Sequence, residues 1–468
     1  MDTQTQNPFK LCIPLVQMTP IYHFQADEAE ATLRATEVKP KLDRYLIQAA
    51  FGDDPTEFKR FCIGEAAHSQ NGGSAEKQYA LNYRLNITVD DPSKLSTEKL
   101  YIEKETKLEG IGSIWDLEKR PAGTMLEEKA TVTLHFFSRH RELLNAIDEW
   151  IDAFFAGENF GCRQSKGFGS FATERSTKEH SLFEEALKKH MLTTKWATYK
   201  GLRLPFAMHS GAVSWIDALN DIRDIHKVLK SGINRPGKDE AHSIKIPSYL
   251  IGDYAANDPK LSKFYDEKKT IYNNTLDGLM SKTPQEVSPD RWRFFRAMLG
   301  LPQFYEFRHV NINNQNYLAR IAIAHSEKNK EENKSVVERF RSPITYKPVK
   351  IGNSWRYYMI PIPIPKDMFS HSFDMKLTPV IGKGKKLDVL NTGITAPEPF
   401  DIQTPSAEEF DLLDFLLSFS AGEPAEQSKQ QNQPKRLIGY ALNQGSKRTA
   451  IYFTFGHLTI TKEEKPDE

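Results

Sequence analysis

The most regular pattern of hydrophobic and polar residues lies between residues 81 and 89. Every second residue from Leu81 to Val89 is hydrophobic, and the residues between them are polar. Because the side chains of a strand alternate between its two faces, this period of two predicts a half-buried β-strand. Apolar segments with β-forming residues predict three more strands, at residues 9–18, 131–137 and 171–174.

Two other segments carry hydrophobic residues three and four positions apart. They span residues 37–51 and 141–155, and this spacing predicts amphipathic helices. Pro40 is expected in the first turn of the first helix, and Gly157 is placed to end the second. Together with the four strands, the helices give the βαββαβ order of ferredoxin-like domains, a fold shared by RNA-recognition modules.

The rest of the chain predicts two further parts. Residues 176–303 have mainly helical periodicity, so we expect a mostly helical insertion. From residue 304 strands resume, and the chain closes with a predicted hairpin at residues 436–442 and 450–460. The expected fold class is α+β, with a ferredoxin-like (RRM-like) domain at residues 1–175 and a second, degraded one at residues 304–468.

Composition limits the classes of function. The 63 Lys and Arg residues balance 62 Asp and Glu residues, for a net charge of +1, so a nucleic-acid surface must arise from local segregation of charge. The three cysteines form no CxxC motif, which argues against a disulfide framework and a zinc site and fits a reducing cytoplasm. We see no signal-peptide pattern and no apolar run of the ~20 residues that a membrane helix needs. We therefore expect a soluble, cytoplasmic protein with no membrane partner.

A glycine-rich segment at residues 161–171, GCRQSKGFGSF, joins the second predicted helix to the fourth strand; we call it the glycine loop. Its glycines permit positive φ, Arg163 and Lys166 supply charge, and Ser165 supplies a hydroxyl, a combination that suits phosphate through side chains and backbone amides. The spacing matches neither the dinucleotide fingerprint nor the P-loop, so we expect no nucleotide cofactor. Phe168 either stacks on a base or fills the core.

The glycine loop, with its Lys-Gly-Phe-Gly core, resembles that of the RAMP superfamily, the repeat-associated proteins of CRISPR effector complexes. The strand ending at residues 18–21, MTPI, and the segment at residues 33–46 resemble the opening of the same superfamily. Residues 295–302, FRAMLGLP, and 339–344, RFRSPI, resemble the large first RAMP subunit of the Cmr, type III-B, module. The patches cover a small part of the chain.

This resemblance implies an RNA-binding, non-catalytic subunit of a type III CRISPR ribonucleoprotein. Its expected partners are guide RNA, target RNA and the other effector subunits. The alternative is a RAMP-fold endoribonuclease that processes guide RNA or cuts target RNA. Processing enzymes of the superfamily usually carry the glycine loop near the C-terminus, whereas here most of the chain follows it, which favours the binding subunit.

The expected site follows from the loop, from the basic start of the first helix, where the superfamily meets guide RNA, and from two isolated residues. His23 is either a packing or RNA-contacting residue or a lone general base, and Arg341 either braces the second sheet or meets RNA. The basic helix residues form either a solvated face or a binding surface. The residues expected to contact RNA are His23, Arg34, Lys39, Lys41, Arg44, Arg163, Ser165, Lys166, Gly167, Phe168, Gly169 and Arg341. No catalytic or metal-binding residue is expected.

Overall fold

The structure is a computed structural model. It describes residues 7–21, 23, 32–63, 79–99, 122–126, 131–193, 201–209, 212–235, 244–271, 288–302, 304–312, 315–331, 337, 340–378, 399–421, 435–442 and 448–460. The helices are α1 Ala35–Ala49, α2 Pro55–Phe58, α3 Arg141–Gly157, α4 His180–Leu192, α5 Trp215–Lys230, α6 Ala255–Asn257, α7 Glu267–Ile271, α8 Lys328–Glu331 and α9 Leu412–Ala421. The strands are β1 Lys10–Gln17, β2 Arg84–Val89, β3 Leu95–Lys99, β4 Ala122–Leu126, β5 Val132–Phe137, β6 Phe171–Thr173, β7 Leu202–His209, β8 Ile233–Arg235, β9 Ile244–Ile246, β10 Tyr265–Asp266, β11 Trp292–Arg293, β12 Phe304–Ile312, β13 Gln315–His325, β14 Ile344–Ile351, β15 Ser354–Pro361, β16 Ser372–Thr378, β17 Phe400–Gln403, β18 Lys435–Leu442 and β19 Arg448–Ile460.

The N-terminal part forms a four-stranded antiparallel sheet in the order β2-β5-β1-β6. Its strands and the helices α1 and α3 lie where the hydrophobic periods predict them. Each of these elements buries one face: Leu15 of β1, Leu134 of β5, Leu42 of α1 and Ile147 of α3 share one core and are fully buried. A single buried face gives a strand its period of two and a helix its spacing of three and four residues, which is why the prediction succeeds here.

A five-stranded antiparallel sheet follows, in the order β14-β15-β7-β19-β18. Its central strand β7 comes from the part predicted to be mostly helical, as do the short strands β8 to β11. The same part holds α4 to α7, so the helical insertion stays a prediction. Leu202, Leu204 and Phe206 of β7 share one face and are buried, and Arg203 between the first two is exposed. This strand therefore has a period of two, although no strand was predicted there. The proposed divisions at residues 175 and 303 stay predictions, although the pairing of β7 with β15 and β19 crosses the second.

A third sheet has the order β10-β11-β17-β16-β13-β12 and mixes parallel with antiparallel pairs. The predicted closing hairpin is present as β18 and β19. The prediction of a mixed α and β fold built on antiparallel sheets is confirmed. None of the described helices is long and apolar enough to cross a bilayer.

The first two sheets share a hydrophobic core. Met18, Phe168 and Ala172, from the N-terminal part, belong to the cluster that also holds Tyr346 and Tyr357 of the five-stranded sheet. The glycine loop is therefore part of the contact between the sheets. Its conformation is fixed by both of them.

Gly169 makes a close backbone approach, and this predicts a large effect of substitution. Its φ is +61°, and an added Cβ would lie 1.9 Å from the carbonyl oxygen of Phe160. We expect Gly169→Ala to lower the free energy of unfolding by roughly 3 kcal/mol or more, since both strain and a backbone clash result. Urea titration measures the change.

Gly352→Ala is the matched control. Gly352 has nearly the same φ, +60°, with no atom within 4 Å of the added Cβ, so its cost is the φ strain alone, about 1 kcal/mol. Equal losses in the two variants would show that the approach of Phe160 is not what requires a glycine at position 169.

Candidate phosphate-binding cleft

The glycine loop begins where α3 ends and contains a left-handed turn. Arg163 has φ +58°, and it precedes a short 3₁₀ turn, Gln164–Lys166, that closes at Gly167 with φ +85°. A left-handed conformation is uncommon in a residue other than glycine and costs about 1 kcal/mol or more. The fold therefore holds the Arg163 backbone in a strained state, as structures often do at binding sites.

The backbone amides of the loop are largely used inside the protein, contrary to the prediction that they hold phosphate. They donate as follows: Gly161 to the Glu37 carboxylate at 2.6 Å, Lys166 to the Arg163 carbonyl at 2.8 Å, Gly167 to the Gln164 carbonyl at 3.2 Å, and Gly169 to the Pro20 carbonyl at 2.9 Å. An amide that already donates is unavailable to a ligand. Anion binding at this loop must therefore come mainly from side chains.

Lys347 of β14 anchors both ends of the loop. Its side chain is completely buried, and its ammonium group donates to the Glu158 carbonyl at 2.7 Å, the Phe171 carbonyl at 2.8 Å and Oδ1 of Asn159 at 3.2 Å. Burial lowers the pKa of Lys347 well below its ordinary value, and the nearby Glu158 opposes that change. Three acceptors match the three hydrogens of the ammonium form.

Further hydrogen bonds bind the loop to β14 and to the end of β1. Asn159 donates to the Tyr346 carbonyl at 2.9 Å, and Ser170 donates to the Pro348 carbonyl at 2.9 Å. Thr19, just after β1, donates to the Gly167 carbonyl at 2.6 Å. The loop is thus held by side chains from three separate parts of the sequence.

A cleft of about 650 Å³ opens beside the anchored loop. Arg163 and Ser165 line one part of it, and Arg341, which lies just before β14, lines another. The complete lining is Gln48, Gly157, Glu158, Asn159, Gly161, Arg163, Gln164, Ser165, His190, Arg341, Thr345, Ile360, Pro361, Ile362 and Pro363. The structure therefore brings together three predicted site residues that are far apart in sequence. Two guanidinium groups and a hydroxyl can bind a phosphate oxygen by charge and hydrogen bonds.

Lys166 ends the short 3₁₀ turn of the loop, which lies near α5. Desolvation, together with the charges of Arg163 and Lys227, lowers the pKa of Lys166 to about 8. Desolvation, Lys166 and Lys230 lower the pKa of His226 to about 3. Helical periodicity was predicted for this part of the chain, but Lys227 and Lys230 were not recognised as site residues. Only the fold brings α5 to the loop.

Lys39 makes several contacts inside the N-terminal part. Its ammonium group donates to Asp43 at 2.8 Å and to the Leu81 carbonyl at 2.8 Å, and it lies 3.9 Å from the centre of the Tyr83 ring. Asp43 is only 4% exposed. This cation satisfies a buried carboxylate, which gives Lys39 a structural role, and its RNA contact stays a prediction.

Lys41 supports the loop from α1. It donates to the Asn159 carbonyl at 2.8 Å and to Oε1 of Gln164 at 2.8 Å, and it pairs with Glu158 at 3.2 Å. These contacts use all three ammonium hydrogens. Like Lys39, this lysine stabilises the framework of the site, and its contact with RNA stays a prediction.

The remaining predicted residues of the N-terminal part lie outside the cleft lining. Arg34 occupies the N-cap position of α1, and Arg44 is exposed farther along the same helix. His23 has its Nε2 atom 3.1 Å from the Thr32 carbonyl oxygen. The structure does not bring these residues together with Arg163 and Arg341.

Phe168 fills the core instead of presenting a ring to a ligand. It is 4% exposed and packs in the cluster shared by the two sheets. The stacking alternative for Phe168 is therefore wrong, and its core alternative is correct. Gly167 lies against Ile222 and Pro348, and Gly169 against Phe160, so both glycines serve close packing, although Gly167 and Gly169 were predicted to contact RNA.

Among the described residues, no three His, Cys, Asp or Glu side chains are grouped as metal ligands. All three cysteines are described, and none of them forms a disulfide. The chemistry that this cleft offers is recognition of an anion by side chains.

Comparison with known proteins gives a family. Models of the Cmr1 N-terminal domain and the Cmr1 C-terminal domain match residues 8–233 and 245–444. Among solved structures, the chain is similar to Cmr1 from Pyrococcus furiosus in its apo form, with 11% sequence identity and a TM-score of 0.37, over 76% of this chain and 90% of that one. No curated protein sequence matches.

The anchoring role of Lys347 predicts a stability change. In Lys347→Met the three oxygen acceptors stay buried and lose their donor, so we expect a loss of roughly 3–5 kcal/mol in the free energy of unfolding, measured in urea. Lys350→Met, three residues along the same strand at a half-buried position, is the control and should cost under about 1 kcal/mol. A Lys347→Met protein as stable as wild type would mean that apolar packing alone holds the loop.

Proposed function

The chain belongs to the Cmr1 family, and from this membership we propose that it is an RNA-binding structural subunit of a type III CRISPR ribonucleoprotein. It holds guide RNA, target RNA or both for antiviral defence and does not cut them. Its protein partners are the other subunits of the effector complex.

The observation that carries this proposal is the meeting of Arg163, Ser165 and Arg341 in one cleft. Guanidinium groups bind phosphate through paired N–H donors, and a hydroxyl adds a further hydrogen bond. Contacts to phosphate fix the path of an RNA strand without reading its sequence. That suits a subunit of a complex in which base pairing between guide and target carries the specificity.

Lys166 and Lys227 add positive charge beside the cleft, because Arg163 and Lys227 both lie close enough to Lys166 to lower its pKa. A strand of RNA needs several phosphate contacts in succession. We infer that the RNA backbone runs from the cleft, across the glycine loop, towards α5.

We also propose that the chain contains two ferredoxin-like domains. In the first sheet the order β2-β5-β1-β6, with α1 and α3 between the strands, is that of a ferredoxin-like domain. The five-stranded sheet repeats this connectivity if its unit starts at β7, continues with α5, β14, β15 and α9, and ends with β19. We interpret both as ferredoxin-like domains, the second interrupted by long insertions and extended by β18.

The endoribonuclease alternative would need a general base or metal ligands beside the bound phosphate. Glu158 and His190 are the titratable candidates in the cleft lining. His190 is 7% exposed and stacks on Tyr45, and burial lowers its pKa, while Glu158 pairs with Lys41. Both side chains therefore have structural roles, and we place the non-catalytic function first.

The proposal predicts that Arg163→Gly separates binding from stability. Glycine relieves the left-handed strain, so the melting temperature should not fall, whereas the loss of one charged contact should weaken RNA binding on the order of tenfold. Arg341→Ala should have a similar effect. Fluorescence anisotropy with a labelled single-stranded RNA, over a series of salt concentrations, should show a log-affinity slope flatter by ~0.7 for each lost phosphate contact.

Arg44→Ala is the matched control, since it removes an exposed arginine of α1 that lies outside the cleft. Unchanged affinity in both Arg163→Gly and Arg341→Ala, or an equal loss in Arg44→Ala, would contradict the cleft assignment. The same RNA is recovered after incubation with and without magnesium. Specific cleavage would move the endoribonuclease alternative ahead.

The pKa of Lys166, lowered to about 8, predicts a pH dependence. Phosphate binding favours the ammonium form, so the affinity is full below this pKa and falls, by up to about tenfold, as pH rises from 7 to 9. Lys166→Arg carries a permanent charge and should lose much of this fall. Identical pH profiles for wild type and Lys166→Arg would show that Lys166 does not meet the RNA.

A further inference from the structure

The N-terminal sheet has one open corner, far from the cleft. Lys10 of β1 and Arg84 of β2 both pair with Phe137 of β5, one from each side. Residues directly opposite in neighbouring strands point to the same face of a sheet. The structure therefore forms a row of lysine, phenylalanine and arginine across three strands.

All three side chains of this row are exposed. Phe137 is 40% exposed, whereas its neighbour Phe136, on the opposite face, is 1% exposed and lies in the core. Single exposed hydrophobic residues are common and need no explanation. A large aromatic ring flanked by two cations within one strand register is a more specific arrangement.

The next row of the same face is polar. It consists of Cys12, His135 and Asn86. The two ring nitrogens of His135 lie 3.3 Å from the Cys12 sulfur and 2.8 Å from the hydroxyl of Thr88, which holds the imidazole on the sheet surface. We call the two rows together, Lys10, Cys12, Arg84, Asn86, His135 and Phe137, the β-face.

Other parts of this sheet surface are covered by the rest of the protein. Val16 and Ala172, towards the β6 edge, pack against the core of the five-stranded sheet. The apolar residues at that end are thus buried in the fold, while Phe137 at the other end remains exposed. The ring is available to a ligand.

Charge and polarity decide which ligand fits. The β-face holds two cations and no carboxylate, and the acidic side chain of Asp90 lies beyond it, bonded to Thr131 and Thr133. A protein partner would be expected to cover a larger apolar area than one ring beside a polar row. Single-stranded RNA offers a base to stack on the ring and phosphates for the flanking cations.

We propose that the β-face is a second binding site for single-stranded RNA. A base stacks on Phe137, the adjoining phosphates pair with Lys10 and Arg84, and Asn86 provides a hydrogen bond to the neighbouring nucleotide. This inference rests on the proposed RNA-binding function but uses residues separate from the cleft, so the two can fail independently.

The experiment uses the full chain carrying Arg163→Gly and Arg341→Ala, so that the cleft contributes little. Phe137→Ala in this background should lower the remaining affinity for a single-stranded RNA about tenfold. Phe137→Leu should lose as much, because leucine is apolar but has no ring, and Phe137→Trp should bind as well as the parent. Lys10→Ala with Arg84→Ala should flatten the salt slope by ~0.7 for each lost contact.

Cross-linking locates the site directly. RNA containing 4-thiouridine, irradiated with the cleft variant, should cross-link to peptides that include Phe137, and the cross-link should disappear in Phe137→Leu. Leu182→Ala is the matched control, since Leu182 is also 40% exposed but lies on α4; it should change neither measurement.

Three outcomes test the proposed second RNA-binding site. Unchanged affinity in Phe137→Ala and Phe137→Leu, with no cross-link near Phe137, overturns the proposal. Loss of co-purifying effector subunits with unchanged RNA affinity also overturns it, because the β-face is then a protein interface. If the Phe137 variants lose affinity while Arg163→Gly and Arg341→Ala alone do not, the cleft assignment fails and the second site stands.

Discussion

The buried ammonium group of Lys347 is the contact on which the rest of the site depends. A charged group removed from water costs several kcal/mol unless oxygen acceptors surround it, and here the acceptors come from both ends of the glycine loop: Glu158 and Asn159 before it and Phe171 after it. Because three acceptors must converge on one nitrogen, the end of α3, the start of β6 and strand β14 are fixed relative to one another. The cleft lies between the loop and the strand that are joined in this way, so its shape follows from this contact.

The contacts that anchor the glycine loop also determine which groups around it can bind a ligand. Loop amides donate to Glu37, to Pro20 and within the loop's own turn, so these amides are not available to phosphate. The neighbouring Lys39 and Lys41 already donate to Asp43, Asn159 and Gln164. Arg163 lines the cleft and adopts a left-handed conformation. The strain of that conformation is sustained by the contacts on either side of it.

The sequence predicted an element correctly where the element's own hydrophobic pattern determines its structure. It failed where the structure depends on contacts with residues that are far away in the sequence. Helices α1 and α3 and strands β2 and β5 each have one buried face, so their periods were visible. Strand β7 also has a period of two, at Leu202, Leu204 and Phe206, but it was not predicted, because helical segments surround it in the sequence. The glycine loop was recognised from its composition, but no local signal reveals that Lys347 satisfies its carbonyls, that Phe168 turns inward or that Arg341 joins the cleft. Lys39 carried a clue in the sequence, since Asp43 stands four residues later, the spacing of an ion pair on a helix.

The distribution of charge links this architecture to ligand binding. The chain as a whole has a net charge of +1, yet the fold gathers Arg163, Lys166, Lys227 and Lys230 around the glycine loop and α5.

Desolvation and the charge of Lys166 lower the pKa of Lys230 to about 7, although Glu267 opposes the change. In this cluster the folded protein binds protons less tightly than the unfolded chain does, so between about pH 7 and the ordinary lysine pKa the cluster's contribution to stability increases as pH rises. At lower pH the gathered cations repel one another and destabilise the fold. An anion bound among them would offset that repulsion and raise these pKa values towards their ordinary range, so the cost of collecting the cations in one place is lowest when a phosphate backbone is bound.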